Sequence, residues 1–128
     1  IHDATWREIA QRYATNEKRK YLYNGLRQAI LSLKNAGCKT VYLDGSFVTE
    51  KPHPGDFDAC WEPLGVDPAE LDPELLDFSD GRKNQKLKYG GELFPSSIKA
   101  DGSLTFLEYF QKDRHTGGAK GIIRIRLS

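Results

Sequence analysis

The sequence predicts an α/β (α+β) fold, a mixed β-sheet of about four strands flanked by helices, in a single domain over residues 1–128. Three observations predict it. A long stripe of apolar residues at helical spacing runs between Asn16 and Ala36. Short β-rich runs then follow at 40–44 and 57–61, and two more come later, around Tyr89–Phe94 and Lys120–Leu127. A chain of 128 residues is also long enough to bury a real core.

Composition narrows the class further. The 38% hydrophobic and 29% charged residues belong to a folded chain rather than a disordered one. A formal net charge of +1 gives no global field for nucleic acid and leaves only local patches. No apolar run approaches the roughly 20 residues that cross a bilayer, and the start lacks a signal-peptide core, so a cytoplasmic protein with no membrane partner is expected. Cys38 and Cys60 form no Cys-x-x-Cys and have no neighbouring histidine, and are expected to be buried reduced thiols. His2, His53 and His115 make no metal-ligand spacing. The sequence has no methionine, initiator included, and a short segment is expected to precede Ile1.

Taken in order, Thr5 followed three residues later by Glu8 is a capping pattern, and Trp6, Ile9, Ala10 and Tyr13 continue it as a first helix. Thr15-Asn16 starts a second helix to Ala36, with Leu22, Leu26, Ala29, Ile30 and Leu33 on one stripe and Gly37 at its stop. Its opening run, Lys18-Arg19-Lys20, reads as a solvated face. Thr40–Asp44 is a strand ended by Gly45-Ser46; Phe47–Glu50 makes one helical turn, and the prolines of Lys51–Gly55 require a loop. Phe57–Trp61 is the next strand, with Phe57, Ala59 and Trp61 on the buried face and Asp56, Asp58 and Cys60 on the other.

Prolines and acids dominate the connector from Glu62 to Phe78, where Pro68 and Pro73 each open a short helical turn. Asp80–Lys88 carries Arg82, Lys83, Lys86 and Lys88, either a solvated helix face or a holder of triphosphate or RNA backbone. Tyr89–Phe94 is the third strand, entered through two glycines. Ser103 caps a helix through Gln111, Gln111–Gly118 is a turn, and Lys120–Leu127 is the fourth strand.

Asp56 and Asp58 carry the chemistry. Side chains at i and i+2 of a strand share a face, so the two carboxylates project side by side and repel each other. A divalent cation removes that repulsion, since magnesium takes hard oxygen ligands from one or two carboxylates and completes its shell with substrate phosphates. Gly45-Ser46, just upstream, is placed to offer backbone N–H groups to an anion.

Gly45-Ser46 at the end of one strand, with Asp56-x-Asp58 about ten residues later on the next, resembles the signature of the nucleotidyltransferase superfamily, which includes DNA polymerase beta and the minimal bacterial nucleotidyltransferases. The segments IHDATW, AGCKTVYLDGSFVTEK, PGDFDACWE and GGELFP are similar, more closely, to a family of small bacterial nucleotidyltransferase-like proteins, and this likeness covers nearly the whole chain. The resemblance implies a nucleotidyltransferase-like sheet with a third acid on a later strand. Glu92 takes that place, with Asp44 as its rival. It further implies that Asp56 and Asp58 bind the Mg2+ or Mn2+ of an NTP and that Glu92 binds a second ion or acts as base. Ser46 and the Gly45–Phe47 backbone would grip the phosphates, with Thr49 and Lys51 assisting.

Three functional readings follow. One is a metal-dependent enzyme moving NMP from an NTP such as ATP to RNA, protein or a small molecule, as a toxin-antitoxin or phage-defence component. Another is an inactive relative that binds nucleotide or a cognate protein as a regulatory module. The last is a plain structural role, in which Asp56 and Asp58 cap or pair with Arg124 or Lys120.

Overall fold

The computed structural model describes residues 1–49, 51–113 and 116–127. Among them the strands are β1 (His2–Asp3), β2 (Thr40–Asp44), β3 (Phe57–Trp61), β4 (Gly91–Pro95) and β5 (Ile123–Arg126). The α-helices are α1 (Trp6–Tyr13), α2 (Glu17–Asn35), α3 (Ser79–Tyr89) and α4 (Phe106–Phe110). One mixed sheet has the order β1-β5-β2-β3-β4. β2 runs antiparallel to both β3 and β5, whereas β3–β4 and β1–β5 are parallel.

The sheet therefore has five strands where the sequence predicts about four. β1 is too short and too polar to show an alternating pattern, and its two residues are exposed. It is held from outside instead: His2 N donates to Ile122 O at 2.8 Å, and the Arg124 guanidinium grips the Asp3 carboxylate at 2.7 and 3.0 Å.

Helix starts follow the capping logic. Thr5 and Glu8 form a reciprocal capping box at α1, and the Asn16 side chain accepts from Arg19 N at α2. Arg19 itself departs from expectation. It is 3% exposed, not solvated, and its guanidinium donates to the carbonyls of Tyr13, Phe47 (2.6 Å), Thr49 (2.6 Å) and Lys51. A fork of five N–H donors suits several carbonyls that a curved loop turns inward. Asn16 Nδ2 adds a bond to Pro52 O, so the start of α2 fastens the 47–52 loop at both ends.

Strand alternation divides the core in two. Val41, Leu43, Phe57, Ala59, Trp61, Leu93 and Ile125 pack with α1, α2 and Tyr89 on one face. On the other, Tyr42, Cys60, Phe94 and Ile122 form a smaller cluster under α4. Both cysteines are free and buried; burial, then the charges of Asp44 and Glu62, push the Cys60 thiol up to about 12. Among the described residues no helix is long and apolar enough to cross a membrane.

The connector holds the expected turns, now seen as single 3-10 turns at Pro68–Glu70 and Pro73–Leu76, capped by Asp67 and Asp72. Asp72 also accepts from Lys88 and from the Tyr89 hydroxyl, tying the connector to the end of α3. Burial opposes its ionisation, but hydrogen bonds from Glu74, Lys88 and Tyr89 prevail and hold its carboxyl below the ordinary 3.8. A carboxylate with a lowered folded-state pKa contributes stability above its unfolded pKa, and that contribution is lost as pH falls through the folded one. Asp72→Asn keeps the cap and removes the charge. It is expected to cost about 1–3 kcal/mol at neutral pH in urea unfolding, with the difference from wild type shrinking as pH falls below 3.8.

Two later elements differ from expectation. α3 opens with Asp80, Gly81 and Arg82 all in the left-handed region (φ +51, +63 and +61), so its regular turns begin after Arg82. α4 starts later and ends earlier than predicted, because Thr105 rather than Ser103 makes the capping box, with Glu108. Ser103 instead donates to the Asp101 carboxylate within the preceding turn. The turns predicted over Phe47–Glu50 and Gln111–Gly118 include Glu50, Arg114 and His115, which lie outside the described residues.

Candidate functional site

Pairing register brings carboxylates from three strands into line. Asp44 lies opposite Asp58 across β2–β3, and Asp58 lies opposite Glu92 across β3–β4. Directly opposed residues share a face with Cβ atoms about 4.5–5.5 Å apart, so these three acids form a row across the open half of the second sheet face. Asp56 precedes Asp58 by two residues, at the mouth of β3, and lines the same cleft of about 470 Å3. The predicted triad of Asp56, Asp58 and Glu92 is thus gathered in one place, and Asp44, the rival, joins it.

Like charges placed opposite one another are destabilising, and the cleft answers with cations. Lys120 Nζ lies 2.9 Å from the Asp44 carboxylate. Glu92 is held from α3, with Lys86 at 3.0 Å on one carboxylate oxygen and Arg82 at 3.3 Å on the other. Burial, then the charge of Glu92, raises the Asp56 carboxyl above its ordinary range, against opposing pulls from Lys86 and Lys18. Lys120 and Arg124, the partners that the plain structural reading gives to Asp56 and Asp58, lie instead against Asp44 and Asp3.

Gly45 explains how the first turn fits beside the row. Its φ is +85, and a Cβ added there would stand 2.5 Å from Asp58 Oδ2, so a residue without a side chain is needed between the end of β2 and that carboxylate. A 3-10 turn, Ser46–Val48, follows. The Ser46 hydroxyl, expected at the phosphate seat, lies outside the described side chains. Phe47 is fully buried against Tyr13 and Arg19, leaving only its backbone for an anion. Thr49 and Lys51 are not among the residues lining the acid cleft: Thr49 lines a separate hollow with Arg12 and Thr15, and Lys51 is exposed.

The other end of the cleft is aromatic and was not read from the sequence as part of a site. Phe94, Phe106, Tyr109 and Phe110 line it, with Lys112 beside them. Phe94 has one available signal, since it follows Glu92 by two residues on β4 and must share its face. The α4 residues have none, because they enter through tertiary packing.

The chemistry of the acid row suits a hard divalent cation, being all carboxylate oxygen. Among the described residues, however, no three His, Cys, Asp or Glu side chains converge closely enough to hold a metal ion by themselves.

Fold and cleft together define a small α+β protein, built on a five-stranded mixed sheet with an acid-lined cleft on one face. The chain belongs to the family of unknown function DUF6932, which it matches over residues 1–126. No curated protein and no solved structure matches it.

Proposed function

We propose that the acid cleft binds a magnesium or manganese complex of a nucleoside triphosphate and transfers its nucleotidyl group to an acceptor on RNA, protein or a small molecule. The carrying observation is the register of Asp44, Asp58 and Glu92 beside Asp56 and the Gly45 turn. It supports the nucleotidyltransferase-like reading of the sheet. Asp56 and Asp58 are the pair that would hold the cation, and the phosphates complete its shell, which requires no three-carboxylate cage. The cation supplies charge neutralisation on the triphosphate and a more acidic acceptor hydroxyl.

In this reading the backbone of Gly45–Phe47 holds the phosphates in line. As the triphosphate binds, Arg82 and Lys86 exchange Glu92 for phosphate oxygens. Glu92, so released, takes the proton of the acceptor hydroxyl while the hydroxyl oxygen bonds to the α-phosphorus and pyrophosphate leaves. A cytoplasmic setting and a toxin-antitoxin or phage-defence role, with RNA or a cognate protein as partner, belong to the same proposal.

Calorimetry with ATP and magnesium, paired with a labelled-nucleotide transfer assay on total RNA and protein, tests it. The wild type is expected to bind ATP in a magnesium-dependent way and to transfer label. The Asp56→Asn, Asp58→Asn double variant is expected to lose both while remaining folded, as a cooperative unfolding curve would show. Equal ATP binding by that variant would sink the proposal.

One observation favours a second reading. Both Glu92 oxygens are already engaged by Arg82 and Lys86, as suits a nucleotide-binding module that performs no transfer. Binding without transfer across all acceptors, unchanged in an Arg82→Ala, Lys86→Ala variant, would favour it.

A further inference from the structure

We infer that the aromatic end of the cleft, presented by Phe106 and Tyr109, is the seat of the nucleobase of a free nucleoside triphosphate. The inference rests on the nucleotide-binding reading of the acid end and adds a base subsite to it.

Geometry carries the argument. Glu92 and Phe94 lie on one strand face two residues apart, a step of roughly 7 Å, so the aromatic end of the cleft begins directly beside the acid row. Phe94 is itself covered. Phe106 stacks on it at 3.9 Å between centroids with the planes 5° apart, Phe78 follows at 5.9 Å, and the Arg82 guanidinium lies 5.6 Å from the Phe94 centroid. The aromatic surface that remains toward the cleft is that of Phe106 and Tyr109, both half-buried and both lining it.

The platform is also fixed in place. Thr105 and Glu108 cap α4 reciprocally, Phe106 N donates to Ile98 O at 3.0 Å, and Leu107 N donates to Ser96 O at 3.2 Å. A ring held this way loses little freedom when a flat ligand stacks on it. A cleft of about 470 Å3 with acids at one end and rings at the other matches a ligand with a charged end and a planar end.

The test compares ATP with inorganic tripolyphosphate, each with magnesium, by calorimetry on the wild type and on a Phe106→Leu, Tyr109→Leu variant. The wild type is expected to bind ATP about ten-fold more tightly than tripolyphosphate, the order of effect of one base stacked on an aromatic ring. The variant is expected to bring the two ligands within about two-fold, with tripolyphosphate binding unchanged. Saturation transfer from protein aromatic protons to the adenine protons of bound ATP provides the same reading on the wild type alone, should the variant not fold.

Equal binding of ATP and tripolyphosphate by the wild type would overturn the base seat while leaving the phosphate and metal seat standing. So would an ATP preference that survives in the folded variant, or the absence of saturation transfer to adenine. If neither ligand binds the wild type, the base seat and the reading beneath it both fail.

Discussion

Gly25→Ala is expected to destabilise the protein by about 3 kcal/mol. Gly25 lies inside α2, where alanine would by itself favour the helix by about 1 kcal/mol. Packing reverses that sign. A Cβ at this position would stand 1.8 Å from the carbonyl oxygen of Tyr89 and 2.6 Å from its carbon. Both atoms are backbone, so no rotamer change can relieve the clash, and α2 must move away from the end of α3. The displaced segment, Tyr89-Gly90-Gly91, leads directly into β4 and Glu92. Urea unfolding measures the loss, and stability at or above that of wild type would show that α2 and α3 do not approach as described.

Arg19→Met is the second large effect, with an expected cost of about 2–4 kcal/mol. Methionine keeps the length and apolar bulk of the stem and removes the guanidinium. Relief of the buried charge offsets part of the loss. The carbonyl of Phe47, deep in the core, is left without this donor, while those of Thr49 and Lys51 lie nearer water and rehydrate. Because the 47–52 loop links the Gly45 turn to Asp56, magnesium-dependent ATP binding is expected to weaken along with stability. Hydrogen exchange across residues 45–56 is the direct readout, and protection equal to wild type there would refute the tether. Arg19→Lys is expected to fall between the two, since a point charge cannot serve several carbonyls at once.

Arg19 also shows where reading from sequence stops. In the run Lys18-Arg19-Lys20 only Arg19 continues the apolar stripe of Leu22 and Leu26, at i, i+3 and i+7, but charge alone does not say that it is buried, and three of the carbonyls that hold it lie about 30 residues away. The central strands were legible for the opposite reason. Thr40–Asp44 and Phe57–Trp61 are bounded by glycine and proline, and their period-2 pattern assigns each residue to a face, the acids included. The same pattern placed Glu92 on β4 but left its neighbour unspecified, because register arises only when strands pair. Pairing made Asp44, Asp58 and Glu92 a row and added the cations that hold two of them. β1 escaped detection because two exposed polar residues have no period, and the limits of α4 shifted because Ser103 and Thr105 compete as caps.

The position of β5 between β1 and β2 imposes an order on folding. The stretch from α2 through β4 is contiguous in the chain, and β2, β3 and β4 can pair as soon as residue 95 is available. The outer edge of β2 then waits, its backbone groups unpaired, until residues 123–126 arrive, and only their docking gives β1 a neighbour. An unpaired edge on a partly folded chain is a template for pairing with another molecule. During synthesis the hazard is therefore concentrated in the interval between the emergence of β4 and that of β5, and sequence changes that slow β5 docking should appear first as lost soluble yield rather than as lost stability of the finished protein.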